Sequence, residues 1–259
     1  MYPLSAETDI KELSKKGINL LYTYLPSKID DSYQLPPQLK DGRIDGIIII
    51  NVYNPQLIHL LSELSIPKIY MDTSRDIDFD SLHGDLILTS ESICSSKLTQ
   101  FMVSHNRSRI GFIGNITKSF ANYELYKGYA EGLILNQLPL DKSICCFSSD
   151  QDDIISFLHS LDQYPDAFIC SNDHIAFTVW KELEALGFEV PNDIMISGYH
   201  NISGYENSNM LTSVQTFNKD IAIVLSNQIE YRIMNPMIRS EIINVSSQIV
   251  FRDSTGSVQ

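Results

Sequence analysis

The 259-residue sequence is short of several things, and each shortage removes a class of protein. No apolar run approaches the roughly 20 residues of a membrane-spanning helix. The opening, MYPLSAETD, has neither a basic region nor an apolar core, so no secretory signal is expected. The four cysteines, Cys94, Cys145, Cys146 and Cys170, form no C-x-x-C pair, and a reduced cytoplasmic chain is expected rather than a disulfide scaffold. Basic residues are scarce. With 19 Lys and Arg against 32 Asp and Glu the net charge is −13, a surface that repels phosphate backbones. No G-x-S-x-G elbow, H-E-x-x-H pair or paired-histidine spacing occurs, so neither a metal nor a cofactor is expected, and no enzyme. The run GFIGNITKS at 111–119 approaches a phosphate loop, but Thr117 stands before Lys118 where that loop requires glycine.

What is present is a globular composition, 43% hydrophobic, arranged in alternation. Expected helices are 9–16, 54–64, 91–104, 123–135, 152–161, 174–186 and 218–234. Expected strands are 18–25, 47–50, 66–71, 86–88, 109–113, 144–147, 167–170 and 194–197, with one or two more in 242–251. Residues 76–85 read as an acidic loop. Strands alternating with helices argue for an α/β protein with a parallel doubly wound sheet.

The clearest unit is 165–201. Residues 167–170 form a short apolar run, Ser171, Asn172 and Asp173 supply helix-capping oxygens, and Ala176, Val179, Trp180, Leu183 and Leu186 recur at helical spacing up to Gly187. Pro191-Asn192-Asp193 then turns the chain into 194–197 and Gly198. This is a right-handed βαβ unit with polar residues at both strand ends, the edge where ligands bind in open parallel sheets.

These residues resemble the effector-binding domain of the LacI/GalR family. The matching pieces are Asn172-Asp173, Leu186-Gly187, Val190-Pro191-Asn192-Asp193-Ile194 and Gly198-Tyr199-His200-Asn201. Ser108 to Gly114, Gly128-Tyr129, Leu211 to Val214 and Phe251 to Thr255 extend the likeness over about 2–256. The resemblance implies two doubly wound parallel-sheet subdomains joined by three crossovers, of the type I periplasmic-binding-protein kind. The N-terminal lobe would be 1–114 plus 214–238 and the C-terminal lobe 115–213 plus 239–259. It implies a transcriptional regulator that holds a small carbohydrate or related polyol between the lobes. Operator DNA would be reached only through a helix-turn-helix domain absent from this chain. The family's first strand, central between 18–25 and 47–50, is also missing, which suggests an incomplete gene product. Transport-type or stand-alone sugar binding is the alternative, with an enzyme on a similar two-lobed fold behind it.

Candidate ligand-binding residues follow. Asn172 offers two donors and an acceptor, and Asp173 two acceptors, although either could simply cap the helix. The resemblance places His200 where relatives carry a diol-clasping aspartate, and Leu125 where they carry an arginine. Tyr123 and Tyr126 could stack on a sugar ring or pack on their own helix. Asn51, Asp72, Thr89 and Ser90 lie at strand ends in the first half, and Phe147 at one in the second. Phe177 lies off the buried helical stripe, so it is expected at a homodimer interface, extended by Tyr205.

Overall fold

Short apolar runs become strands, most of them buried on both faces. In the computed structural model, which describes residues 17–256, they are β1 (Ile47–Ile50), β2 (Lys68–Met71), β3 (Asp85–Leu88), β4 (Ile110–Ile113), β5 (Ala167–Cys170), β6 (Met195–Tyr199), β7 (Thr212–Gln215), β8 (Ile242–Asn244) and β9 (Gln248–Val250). The helices are α1 (Pro55–Ser62), α2 (Glu91–Ser104), α3 (Phe120–Leu135), α4 (Gln151–His159), α5 (Asp173–Ala185) and α6 (Asn218–Met234). The helix expected at 9–16 lies outside the described residues. Among those described, no helix is long and apolar enough to cross a membrane.

The chain divides into two compact units. The first runs to Thr89 and takes in Lys118–Ala121 and Phe217–Val245. The second holds Ser90–Thr117, Asn122–Thr216 and Ser246 onward. Residues 90–114, assigned from the sequence to the first lobe, group with the second unit because β4 pairs with β5. Residues 239–245 group with the first because β8 pairs with β3.

The first unit's sheet has the order β1-β2-β3-β8, parallel throughout. Asn54 caps α1 by accepting from the Leu57 N–H, and Pro55 fixes the first helical φ. Leu57, Ile58 and Leu61 of that helix pack with Ile49, Tyr70 and Leu86 on one face. Ile221, Leu225 and Ile229 of α6 meet Ile69, Met71 and Ile87 on the other. Neighbouring β2 residues thus serve opposite faces, the period-two rule of a strand. Residues 18–25 do not form the expected strand; they run irregularly, with Tyr24 97% exposed. Strand propensity alone cannot hold an extended segment that has no neighbour to pair with.

The second unit's sheet has the order β4-β5-β6-β7-β9, parallel except for the last pair. Leu98 and Met102 of α2, with Leu125, Tyr129 and Leu133 of α3, cover one face over Phe112 and Ile169. On the other face Ile154 and Leu158 of α4, with Val179, Trp180 and Leu183 of α5, pack on Phe168 and Ile196. Each fully buried aliphatic side chain stabilises by about 1.5–3 kcal/mol. Residues 144–147 are not a strand. A 3-10 turn at Lys142–Ile144 leads to a single bridge between Cys146 and Ile113, in which the Cys146 N–H donates to the Phe112 carbonyl and the Cys146 carbonyl accepts from the Gly114 N–H. Thr212, Ser213 and Val214 of the run that extends the family likeness fall in β7, which joins this sheet.

Candidate functional site

Parallel strands bring the candidate residues to carboxyl edges. In the second unit, β5 runs into Ser171, Asn172 and Asp173, and β6 into His200 and Asn201. The register that sets Ile169 beside Ser197 carries Asn172 and His200 to neighbouring strand ends. In the first unit, Asn51 follows β1, Asp72 follows β2, and Thr89 and Ser90 follow β3. Asn51, Asp72, Ser90, His200 and Asn201 all have positive φ, at 57°, 61°, 51°, 94° and 50°. Non-glycine residues hold that conformation at a cost, and they gather where a chain must turn sharply beside a site.

Asn172 is half-buried and does two things. Its Oδ1 accepts from the Ile175 N–H at 3.0 Å and caps α5. Its two Nδ2 hydrogens have no protein acceptor among the described residues.

Asp173 is 1% exposed. One oxygen accepts from the Ser213 hydroxyl and the other from the Ile202 N–H, each at 2.6 Å. The carboxylate therefore ties the loop after β6 to the start of β7. Gly198 leaves room for it, since a Cβ there would lie 2.1 Å from Asp173 Oδ1. Burial raises the Asp173 pKa from 3.8 to about 6, against the lowering pull of Ser213, Ile202 and Arg252. Because the folded value is above the unfolded one, its contribution to stability is fully present below pH 3.8 and is lost as pH rises through about 6. A carboxyl titration by NMR should therefore find the Asp173 midpoint near 6. Asp173→Asn should also flatten the stability–pH curve between those limits. A midpoint in the ordinary aspartate range would refute this.

His200 is held neutral, its pKa lowered to about 3 chiefly by burial. Its backbone N–H donates to the Val214 carbonyl at 2.9 Å, and its ring meets Tyr199 edge-on at 5.1 Å. A neutral imidazole offers one donor and one acceptor in place of a carboxylate's two acceptors. Asn201, beside it, donates to Gln215.

Phe147 is half-buried and meets Tyr126 edge-on at 5.3 Å; Tyr126 in turn packs on Phe112 at 5.4 Å. The ring of Tyr123 lies 5.9 Å from the Lys127 ammonium. Leu125 is buried in the core.

In the first unit Asp72 is buried too. It accepts from the Ser119 hydroxyl at 2.6 Å and the Ala121 N–H at 2.9 Å, which anchors the start of α3. Burial raises its pKa. Tyr53 donates to Asn51 at 3.1 Å. Thr89 is buried, and Ser90 precedes α2 without a side-chain cap.

Phe177 is half-buried and stacked on Tyr205 of its own chain, with centroids 4.6 Å apart and planes at 15°. Tyr205 also bonds to His174, and at 39% exposure it is the ring that solvent meets. Sequence reasoning gave no role to Ser213 and Gln215, which hold the β6–β7 loop; Ser213 lies within the L-T-S-V run and Gln215 just after it. Among the described residues no group of three His, Cys, Asp or Glu could hold a metal ion.

Comparison with known proteins fits this architecture. The family model described as a periplasmic binding protein-like domain matches residues 99–255. The HTH-type transcriptional repressor PurR of Actinobacillus pleuropneumoniae serotype 3 (strain JL03) is 27% identical over 184 residues, 68% of this chain and 52% of the relative. The chain thus spans about half the length of that relative. A regulatory protein of LacI family from Chloroflexus aggregans has a similar fold (TM-score 0.75, 17% identity, 96% of this chain and 90% of that one). So does a LacI family transcriptional regulator from Enterococcus faecium with bound ribose (TM-score 0.74, 17% identity, 97% and 93%). The chain belongs to the periplasmic binding protein-like domain family, as an effector-binding domain of the LacI/GalR type.

Proposed function

We propose that this chain is the effector-sensing part of a LacI-type transcriptional regulator. Its ligand is a small carbohydrate or related polyol, and binding controls the hold of a separate domain on operator DNA. The observation that carries the ligand reading is the divided use of Asn172, whose oxygen caps α5 while its amide hydrogens stay unbonded at a strand's carboxyl end. Two further features support it. His200 is neutral, which sets an uncharged imidazole at the neighbouring strand end. The Phe147–Tyr126 pair adds an apolar ring surface of the kind that sugar faces stack on. The ribose held by the Enterococcus faecium regulator is consistent with this chemistry.

A thermal-shift screen of pentoses, hexoses, disaccharides and nucleosides identifies the effector. A ligand at about 100 times its Kd should stabilise the fold by roughly 2.7 kcal/mol. Asn172→Ala should then weaken binding by about 1–3 kcal/mol, by removing donors from a desolvated contact. Asn172→Asp separates the two roles: it keeps a capping oxygen, and with it the stability of α5, but has no amide hydrogens and should bind as poorly as the alanine variant. Unchanged affinity in both variants would remove Asn172 from the site.

A further inference from the structure

The first unit contains a cavity of about 400 Å³ at the edge of its sheet opposite Asn51 and Asp72. It is formed where β2 and β3 begin, and Lys68, Gly84, Glu63, Arg232 and Arg239 line it. Its volume lies within the range of small-ligand sites.

Lys68 is its unusual feature. The residue is 3% exposed, yet it makes no ion pair among the described residues. Its ammonium donates to the carbonyls of Ser62, the last residue of α1, at 3.2 Å, and of Leu64, just beyond it, at 2.6 Å. Those bonds account for two of its three protons. Arg232 differs, because its charge is matched by the buried carboxylate of Asp85. Arg239 is exposed and makes no ion pair among the described residues, while Glu63 is the lone carboxylate on the lining. Two cations without an ion pair, Lys68 and Arg239, thus face the single carboxylate of Glu63, whose charge acts on Lys68, in a chain whose net charge is −13. Buried charges are normally paired, and the buried Lys68 ammonium has two backbone carbonyls and the nearby Glu63 charge to balance it. Burial lowers the Lys68 pKa, a cost that a bound anion would offset. The space is also kept open by sequence: at Gly84 a Cβ would lie 2.6 Å from both Lys68 Cγ and the Lys68 carbonyl oxygen.

We propose that this cavity is a binding site for a small oxyanion of the phosphate class, held by the third proton of Lys68 and by the Arg239 guanidinium. The ion would be free phosphate or the phosphoryl group of a small ester. Either would bind at the sheet edge opposite Asp72 and independently of the effector reading.

The test is a titration of the intact chain with inorganic phosphate and with methyl phosphate, followed by phosphorus NMR and thermal shift. Chloride at matched ionic strength is the control. A saturable response to phosphate that chloride does not reproduce is expected. A response to both phosphates identifies an open site that accepts esters, and a response to inorganic phosphate alone identifies an enclosed ion site. Lys68→Met should weaken binding by about tenfold or more, the worth of one charge-assisted hydrogen bond. Arg239→Ala, at an exposed position that leaves the fold intact, should weaken it severalfold and decides alone if Lys68→Met does not fold. An absent response, a chloride response of equal size, or unaltered binding in the variants overturns the proposal.

Discussion

Asp85→Ala should lower the unfolding free energy by about 3–5 kcal/mol, the cost of stranding a buried charge. Asp85 has no exposed surface, and the side chain of its partner Arg232 is 5% exposed. The guanidinium holds both carboxylate oxygens, through Nε at 3.0 Å and through Nη2. The same carboxylate accepts from the Glu241 N–H at 2.9 Å and from Gln228 at 2.7 Å. One residue thus binds the start of β3 to α6 and to the segment leading into β8. Removing it leaves a desolvated guanidinium and an orphaned backbone N–H. Replacing both partners by apolar groups of similar size, as in Asp85→Leu with Arg232→Met, should restore much of the loss, because no charge is then left buried. Urea denaturation followed by circular dichroism measures both. A loss under about 1 kcal/mol for the single variant, the worth of an exposed pair, would show that the pair does not support the unit.

Gly128→Ala should destabilise the second unit by about 3 kcal/mol or more. In an ordinary exposed helix the same change stabilises by up to about 1 kcal/mol, so the sign itself is diagnostic. At Gly128 an added Cβ would lie 2.1 Å from the Ser92 carbonyl oxygen and 2.7 Å from its Cα. The obstacle is backbone within α2, not the end of a flexible side chain. The helices would have to separate, which loosens Leu98 and Met102 against Tyr129 and Leu133 in a close-packed core. Trp180 is the single tryptophan and lies in this unit's other core, so its fluorescence follows the transition. A variant as stable as the parent, or more so, would mean that α2 and α3 do not approach this closely.

Much of the fold was legible because local rules act locally. The apolar spacing of α5, its capping asparagine and Gly187 at φ 90° mark that helix in the sequence, and the structure buries Ala176, Val179, Trp180 and Leu183 as the spacing requires. Asn172, His200 and Asp72 fall at strand ends for the same reason: in alternating βα order, the residue after each apolar run lies at the carboxyl edge.

Partners distant in sequence were not legible. The apolar spacing of 18–25 predicts a strand, but a strand exists only where another offers it hydrogen bonds. Residues 144–147 likewise reduce to one bridge. Asp85 reads as the end of an acidic loop because nothing nearby in sequence announces Arg232, 147 residues away. Asp173 and Asp72 read as open acceptors, but Ser213, Ile202, Ser119 and Ala121 reach them only after folding. The sequence by itself determined which residues are apolar, where helices are capped and which polar groups stand at strand ends, since propensity and periodicity are carried by near neighbours. Tertiary structure alone decided which strands found a neighbour, which carboxylates are enclosed and therefore shifted in pKa, and that Asn172 keeps its amide hydrogens unbonded, since pairing and desolvation depend on groups brought together from opposite ends of the chain.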